Sequence, residues 1–154
     1  MAQWYEGYAD ANGLRIHYWR TGTPALPALV LQHGFNSNGL CWRRVARALE
    51  GEWDVIMPDA RGHGLTAAPL DGYSAADMAG DLAAFCAALG LQRPVLLGHS
   101  MGGRMVGALA AQYPDLPRAV ILVDPSWMDG PRNTSRSQDA RRYRQMPRDQ
   151  LSAV

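Results

Sequence analysis

Apolar residues recur along this chain in two alternating patterns. Short, nearly unbroken apolar runs alternate with longer stretches whose apolar positions return every three or four residues. The first pattern suits strands buried on both faces, the second amphipathic helices. Residues 28–33 (ALVLQH), 53–58 (WDVIMP), 94–98 (PVLLG) and 118–123 (RAVILV) are the strand candidates. Residues 41–49, 74–89 and 101–113 lie between them with helical spacing. In the second of these, Ala75, Met78, Ala79, Leu82, Phe85, Cys86 and Leu89 form one stripe. Ser74 with Asp77 three residues on is an acidic capping box, and Gly90 is a stop signal.

Ahead of these blocks, residues 5–9 and 14–20 flank Asn12-Gly13, a strong hairpin turn. Leu14, Ile16 and Tyr18 alternate onto one face, so an antiparallel hairpin at a sheet edge is expected, with His17 exposed on it. Strand and helix then alternate, which calls for parallel strands with right-handed crossovers. The expected fold is α/β: a mostly parallel sheet, helices on both faces, and an N-terminal antiparallel hairpin. Residues 125–154, with Pro125, Pro131 and Pro147, predict no further strand.

Composition narrows the function. The 154 residues suffice for one domain, and 47% hydrophobic against 19% charged excludes a disordered chain. All 15 basic residues are arginine, and the net charge is only +1. Residues 1–131 carry 9 Arg against 12 acids, and residues 132–154 carry 6 Arg against 2. The basic tail reads as a solvated, partly helical segment, and no nucleic-acid partner is expected. Cys41 and Cys86 fit neither a disulfide framework nor a metal-ligand spacing. No apolar run reaches the ~18 residues of a membrane span, and the start MAQWYEGYAD has no signal-peptide pattern. A cytoplasmic protein without a membrane partner is the resulting expectation.

Gly98-His99-Ser100-Met101-Gly102 matches G-x-S-x-G, is followed by Gly103, and lies between a predicted strand and a predicted helix. That is the context in which the pattern carries chemistry. A tight strand-to-helix turn strains the serine backbone, and glycines at 98 and 102 let strand and helix approach. The Ser100 hydroxyl would then stand at the carboxyl end of the sheet, above the free N–H groups of the first helical turn. The alternative is a glycine-rich turn with a capping serine.

With two further motifs in order, the chain resembles the α/β-hydrolase fold family, in its lid-bearing esterase, peptidase and C–C hydrolase branch. His33-Gly34-Phe35 resembles the oxyanion turn after the third strand. Asp59-Ala60-Arg61-Gly62-His63-Gly64 resembles the D-x-R-G-x-G loop after the fourth, and Asp124-Pro125-Ser126 follows the sixth. The resemblance spans residues 5–130. It implies that residues 1–130 are the N-terminal portion of a hydrolase core, with 131–154 the start of a lid or a polar basic tail.

The resemblance also implies roles. Ser100 would be the nucleophile, and the backbone N–H groups of Phe35 and Met101 the oxyanion hole. His33 and His99 would be structural rather than basic. Arg61 and His63 would organise their loop, with Asp59 capping that turn or pairing with Arg61. The Phe35 side chain would line the acyl pocket or pack as core. Trp127 and Met128, at the start of a lid, would face substrate or pack its stem; Trp42 and Trp53 would be core. Asp124 would be a loop cap, or the triad acid as in a minority of the family.

In the family the acid follows the seventh strand and the histidine the eighth, and neither strand is predicted here. The chain is then a fragment, one subunit of a split hydrolase completed by a second chain, or a non-catalytic domain. The leading expectation is a serine hydrolase acting on esters, then amides, then C–C bonds, with no metal or organic cofactor. Epoxide and haloalkane hydrolases normally place aspartate where Ser100 stands; a cofactor-free haloperoxidase-like activity would use the same site. The rival is an interaction module pairing through residues 118–123, whose outer edge would lack a partner strand.

Overall fold

Asn12 (φ 51°) and Gly13 (φ 72°) adopt the left-handed pair that a two-residue hairpin requires. They join β1 (Tyr5–Ala11) to β2 (Leu14–Arg20) in antiparallel register, Ala11 opposite Leu14. The computed structural model describes residues 4–126. The remaining elements are β3 (Ala28–Gln32), a 3-10 turn (Gly39–Trp42), α1 (Arg43–Leu49), β4 (Asp54–Pro58), α2 (Ala75–Ala88), β5 (Val95–His99), α3 (Met101–Gln112) and β6 (Ala119–Val123). They build one sheet in the order β1-β2-β4-β3-β5-β6. β2 meets β4 antiparallel, and β4, β3, β5 and β6 are mutually parallel. The expected α/β architecture is the observed one.

Successive strand residues point to opposite faces, and the two faces build two cores. Val30, Ile56 and Leu96 pack with Phe85, Val106 and Leu109 of α2 and α3. Leu29, Leu31, Val55 and Met57 pack with Ala46 of α1, with Trp42 and Trp53 partly buried beside them. Phe85 is fully buried, which stabilises by roughly 1.5–3 kcal/mol relative to exposure. Ser74 caps α2: its hydroxyl accepts from Asp77 N–H while the Asp77 carboxylate accepts from Ser74 N–H. A cap of this kind is worth about 1 kcal/mol.

Several local expectations are corrected. The helix expected over 41–49 opens as a 3-10 turn from Gly39, because the Asn38 side chain caps it, its Oδ1 accepting from Leu40 N–H. His17 is 1% exposed rather than exposed. The hairpin does lie at the sheet edge, but only β1 is the edge strand; β2 is flanked by β1 and β4. The apolar run of β6 suggested burial on both faces, yet Val120–Val123 are each 38–45% exposed. β6 is the last strand in the sheet order, and among the described residues no strand pairs with its outer edge.

Candidate active site

The order of the strands selects the site before any side chain is considered. β3 lies between β4 and β5. The chain leaves β3 toward α1 on one face, and leaves β5 toward α3 on the other. Open α/β sheets bind ligands in the crevice at the carboxyl ends of two strands that diverge in this way. Here those ends are Gln32 and Gly98, which are in register. His33-Gly34-Phe35 follows the first and His99-Ser100 the second.

Ser100 sits between β5 and α3 with φ 51° and ψ −114°. An N-cap serine ordinarily has extended backbone, and its hydroxyl accepts from the helix. Ser100 does neither: its side chain makes no capping hydrogen bond. Left-handed backbone at a non-glycine residue costs about 1–3 kcal/mol. The surroundings hold it there. Ser100 N–H donates to Val123 O (3.0 Å), and Ser100 O accepts from Arg104 N–H and Ser126 N–H, both at 3.1 Å.

Three glycines make the turn sterically feasible. A Cβ on Gly98 would lie 2.2 Å from Gly102 O, and one on Gly102 would lie 2.4 Å from Gln32 O. A Cβ on Gly34 would lie 3.0 Å from His99 Nδ1 and 3.4 Å from Ser100 Cβ. The turn after β3 is therefore packed directly against the serine. Gly103 is close-packed too, facing Pro125. Met101 is buried at the first turn of α3, and Phe35 is 37% exposed, with its ring edge-on to His63 at 5.9 Å. Trp127 and Met128 lie outside the described residues.

The histidines near the serine differ sharply. His33 is fully buried; its Nδ1–H donates to Gly34 O (2.7 Å), and its Nε2 accepts from Ala60 N–H (3.0 Å). Burial holds its pKa below the ordinary value, so it is a neutral brace. His63 donates through Nδ1 to Arg61 O, and burial, then the neighbouring His33, lower its pKa to about 3. His99 is exposed. Asp124, also exposed, has a left-handed backbone (φ 44°).

In the loop after β4, Asp59 takes up backbone N–H groups, as in one of the two expectations, and the other, a pair with Arg61, is absent. The Asp59 carboxylate contacts His17 Nδ1 (2.8 Å) and accepts from Gly39 N–H (2.7 Å) and Leu65 N–H (3.0 Å). Arg61 instead forms two hydrogen bonds to Asp81 of α2 (2.5 and 2.7 Å) and donates to Gly72 O. Asp81 also accepts from Asn12 of the hairpin turn. A Cβ on Gly64 would collide with the Asp59 carboxylate, and Gly62 has φ 72°. Sequence reasoning missed His17 and Asp81. The alternation of Leu14, Ile16 and Tyr18 placed His17 on the opposite face of β2, which was the available signal.

Strand order, turn and glycine packing agree with a match to the alpha/beta hydrolase fold model over residues 27–152. The chain belongs to the alpha/beta hydrolase fold family. It is 44% identical over 121 residues to N-formylmaleamate deformylase of Pseudomonas putida, covering 77% of this chain and 44% of that protein. It is 38% identical over 98 residues to 2-(acetamidomethylene)succinate hydrolase of Mesorhizobium japonicum, covering 64% and 35%. The crystal structure of a membrane phospholipase A described as a bacterial virulence factor superposes with a TM-score of 0.79 at 31% identity, covering 92% and 46%. The chain thus spans less than half the length of each of these hydrolase-fold relatives. Among its described residues no helix is long and apolar enough to cross a membrane, and no three His, Cys, Asp or Glu side chains gather as a metal site.

Proposed function

We propose that this chain carries the nucleophilic half of a serine hydrolase that cleaves carboxylic ester or related acyl bonds. The observation behind this reading is the strained, non-capping Ser100 at the divergence of β3 and β5, with Gly34 against it. A serine that adopts costly backbone and returns no capping hydrogen bond is poorly explained by stability alone. Ser100 Oγ attacks the acyl carbon, and the N–H groups of Met101 and Phe35 receive the oxyanion. The alcohol or amine leaves with the serine proton, delivered through a histidine; water then releases the acid.

That histidine is not His33 or His63, which are buried and neutral with Nδ1 already donating to backbone. The base, and with it the triad acid, comes from chain beyond residues 1–154 or from a second chain; Asp124 serves as a loop residue. The exposed edge of β6 is where such a segment would join the sheet. Two relatives named for a formyl and an acetamido compound favour N-acyl substrates within the acyl class.

The test is reconstitution. Residues 1–154 alone hydrolyse p-nitrophenyl acetate and N-formyl amides near background. Mixing with a C-terminal segment taken from a hydrolase of this family raises the rate, and Ser100→Ala returns it to background. Equal rates for Ser100→Ala and the parent in the reconstituted sample would refute the role of Ser100. Strong Ser100-dependent activity in the isolated chain would place the base within these residues.

A further inference from the structure

His17 and Asp59 form a buried contact that the acyl chemistry does not use. His17, on β2, is 1% exposed, and Asp59, after β4, is 3% exposed. Their backbones are joined as well, with Asp59 N–H donating to His17 O (2.9 Å). Thr66 Oγ1 accepts from His17 N–H and donates to Asp59 O. The Asp59 carboxylate reaches outward from this joint to Gly39 N–H and Leu65 N–H. Ala60, the next residue, donates to the ring of His33, which donates in turn to Gly34 O.

The turn carrying Phe35 is therefore held at both ends by one dipeptide. Its start, Gly34, hangs from Ala60 through His33; its end, Gly39, hangs from Asp59. The packing leaves little slack, since a Cβ on Gly39 would lie 2.3 Å from Met57 O. A buried carboxylate needs a cation or several donors to stay charged. Arg61, the nearest cation in sequence, is committed to Asp81, so the countercharge falls to His17.

We propose that His17 is a positioning residue for the Phe35 turn, acting through Asp59. This rests on the functional reading above only in giving that turn an oxyanion donor.

The groups facing His17 are Asp59; Glu6, whose Oε2 is 3.5 Å from Nε2; and the rings of Tyr8 and Trp19, at 5.1 and 5.7 Å. Arg15 lies over the Tyr8 ring at 4.0 Å, and the neutral His33 lies on the other side of Asp59. Burial pulls the His17 pKa down, but Asp59 and Glu6 outweigh it and hold it above the ordinary value. Burial pushes Asp59 up, but the hydrogen bond from His17 and the two backbone donors, Gly39 and Leu65, hold it below the carboxylate range. A raised histidine pKa contributes stability that is complete below the unfolded value of about 6.5 and lost as pH rises through the folded value. The clamp is thus charged below about pH 6.5 and weakens as pH rises through the folded value.

Amide hydrogen exchange on the full 154-residue chain tests this, with His17→Leu and His17→Asn at about pH 6 and pH 9. Asparagine keeps a donor where Nδ1 sits but never carries charge. After correction for intrinsic exchange, parent protection over Gly34–Gly39 falls about ten-fold between the two pH values. Protection in β3 and β5 changes only with global stability. His17→Asn removes the pH step and keeps much of the protection; His17→Leu loses protection at both pH values. Uniform loosening in His17→Leu, or a parent pH step that survives in His17→Asn, overturns the proposal. If His17→Leu does not fold, the parent and His17→Asn comparison decides. In the reconstituted enzyme, kcat falls with KM nearly constant. If the reconstituted parent is inactive, the functional reading fails while exchange still judges the clamp.

Discussion

Replacing glycine by alanine inside a helix ordinarily stabilises by up to about 1 kcal/mol, because glycine loses more backbone freedom on folding. Two helical glycines should respond oppositely. Gly80 lies within α2, where a new Cβ meets only Asn12 Nδ2 at 3.8 Å. Gly102 lies in the first turn of α3, where the Cβ would stand 2.4 Å from Gln32 O, 2.5 Å from His33 O and 2.8 Å from Gln32 C. These are backbone atoms at the end of a central strand, so no side chain can swing aside. Relief requires moving α3 away from β3 by several tenths of an ångström, in a core near crystal density. Overpacking of this kind costs about 1–3 kcal/mol or more, which exceeds the propensity gain. Gly80→Ala is therefore expected to raise stability by about 0.5–1 kcal/mol and Gly102→Ala to lower it by about 1–3 kcal/mol. Urea unfolding followed by tryptophan fluorescence and far-UV circular dichroism measures both. At this chain length each kcal/mol also moves the thermal midpoint by about 2–4 °C. If Gly102→Ala is as stable as the parent, the close approach of α3 to β3 is not what requires glycine there. If Gly80→Ala is destabilised, the steric comparison itself is wrong.

Two other consequences can be measured directly. His63 is held to about pKa 3, chiefly by burial, so the unfolded chain binds more protons than the folded one between about pH 6.5 and 3. Stability should fall as pH drops through that window, and His63→Asn, which keeps a donor for Arg61 O, should flatten the fall; an unchanged acid slope in denaturant midpoints would count against the buried neutral imidazole. The outer edge of β6 carries exposed Val120, Ile121, Leu122 and Val123 and should pair with another chain. Ile121→Lys is expected to shift light scattering toward a 16.8 kDa species, and a parent that is already monomeric with slow amide exchange along 119–123 would refute the pairing.

Much of this molecule was legible in short stretches of sequence, for reasons confined to a few neighbouring residues. The Asn12-Gly13 turn follows from which residues tolerate left-handed backbone, and the α2 cap from a hydroxyl and a carboxylate three residues apart. The alternation of apolar runs with helical stripes fixed the order of elements, because parallel strands must be joined by crossovers. The glycine pattern around Ser100 located the strand-to-helix turn, because only glycine permits those backbones to touch. What tertiary structure decided is which remote groups meet. Asp59 and Arg61 are two residues apart and opposite in charge, yet one pairs with His17 and the other with Asp81. Nothing local distinguishes that outcome from a mutual pair. It depends on β2 lying against β4, a long-range register that no spacing within the loop encodes. The same register buries His17, and the register of β3 on β5 brings Gly34 against Ser100. The exposure of β6 is likewise a property of the sheet, since the apolar run is the same whether or not a neighbouring strand lies beside it.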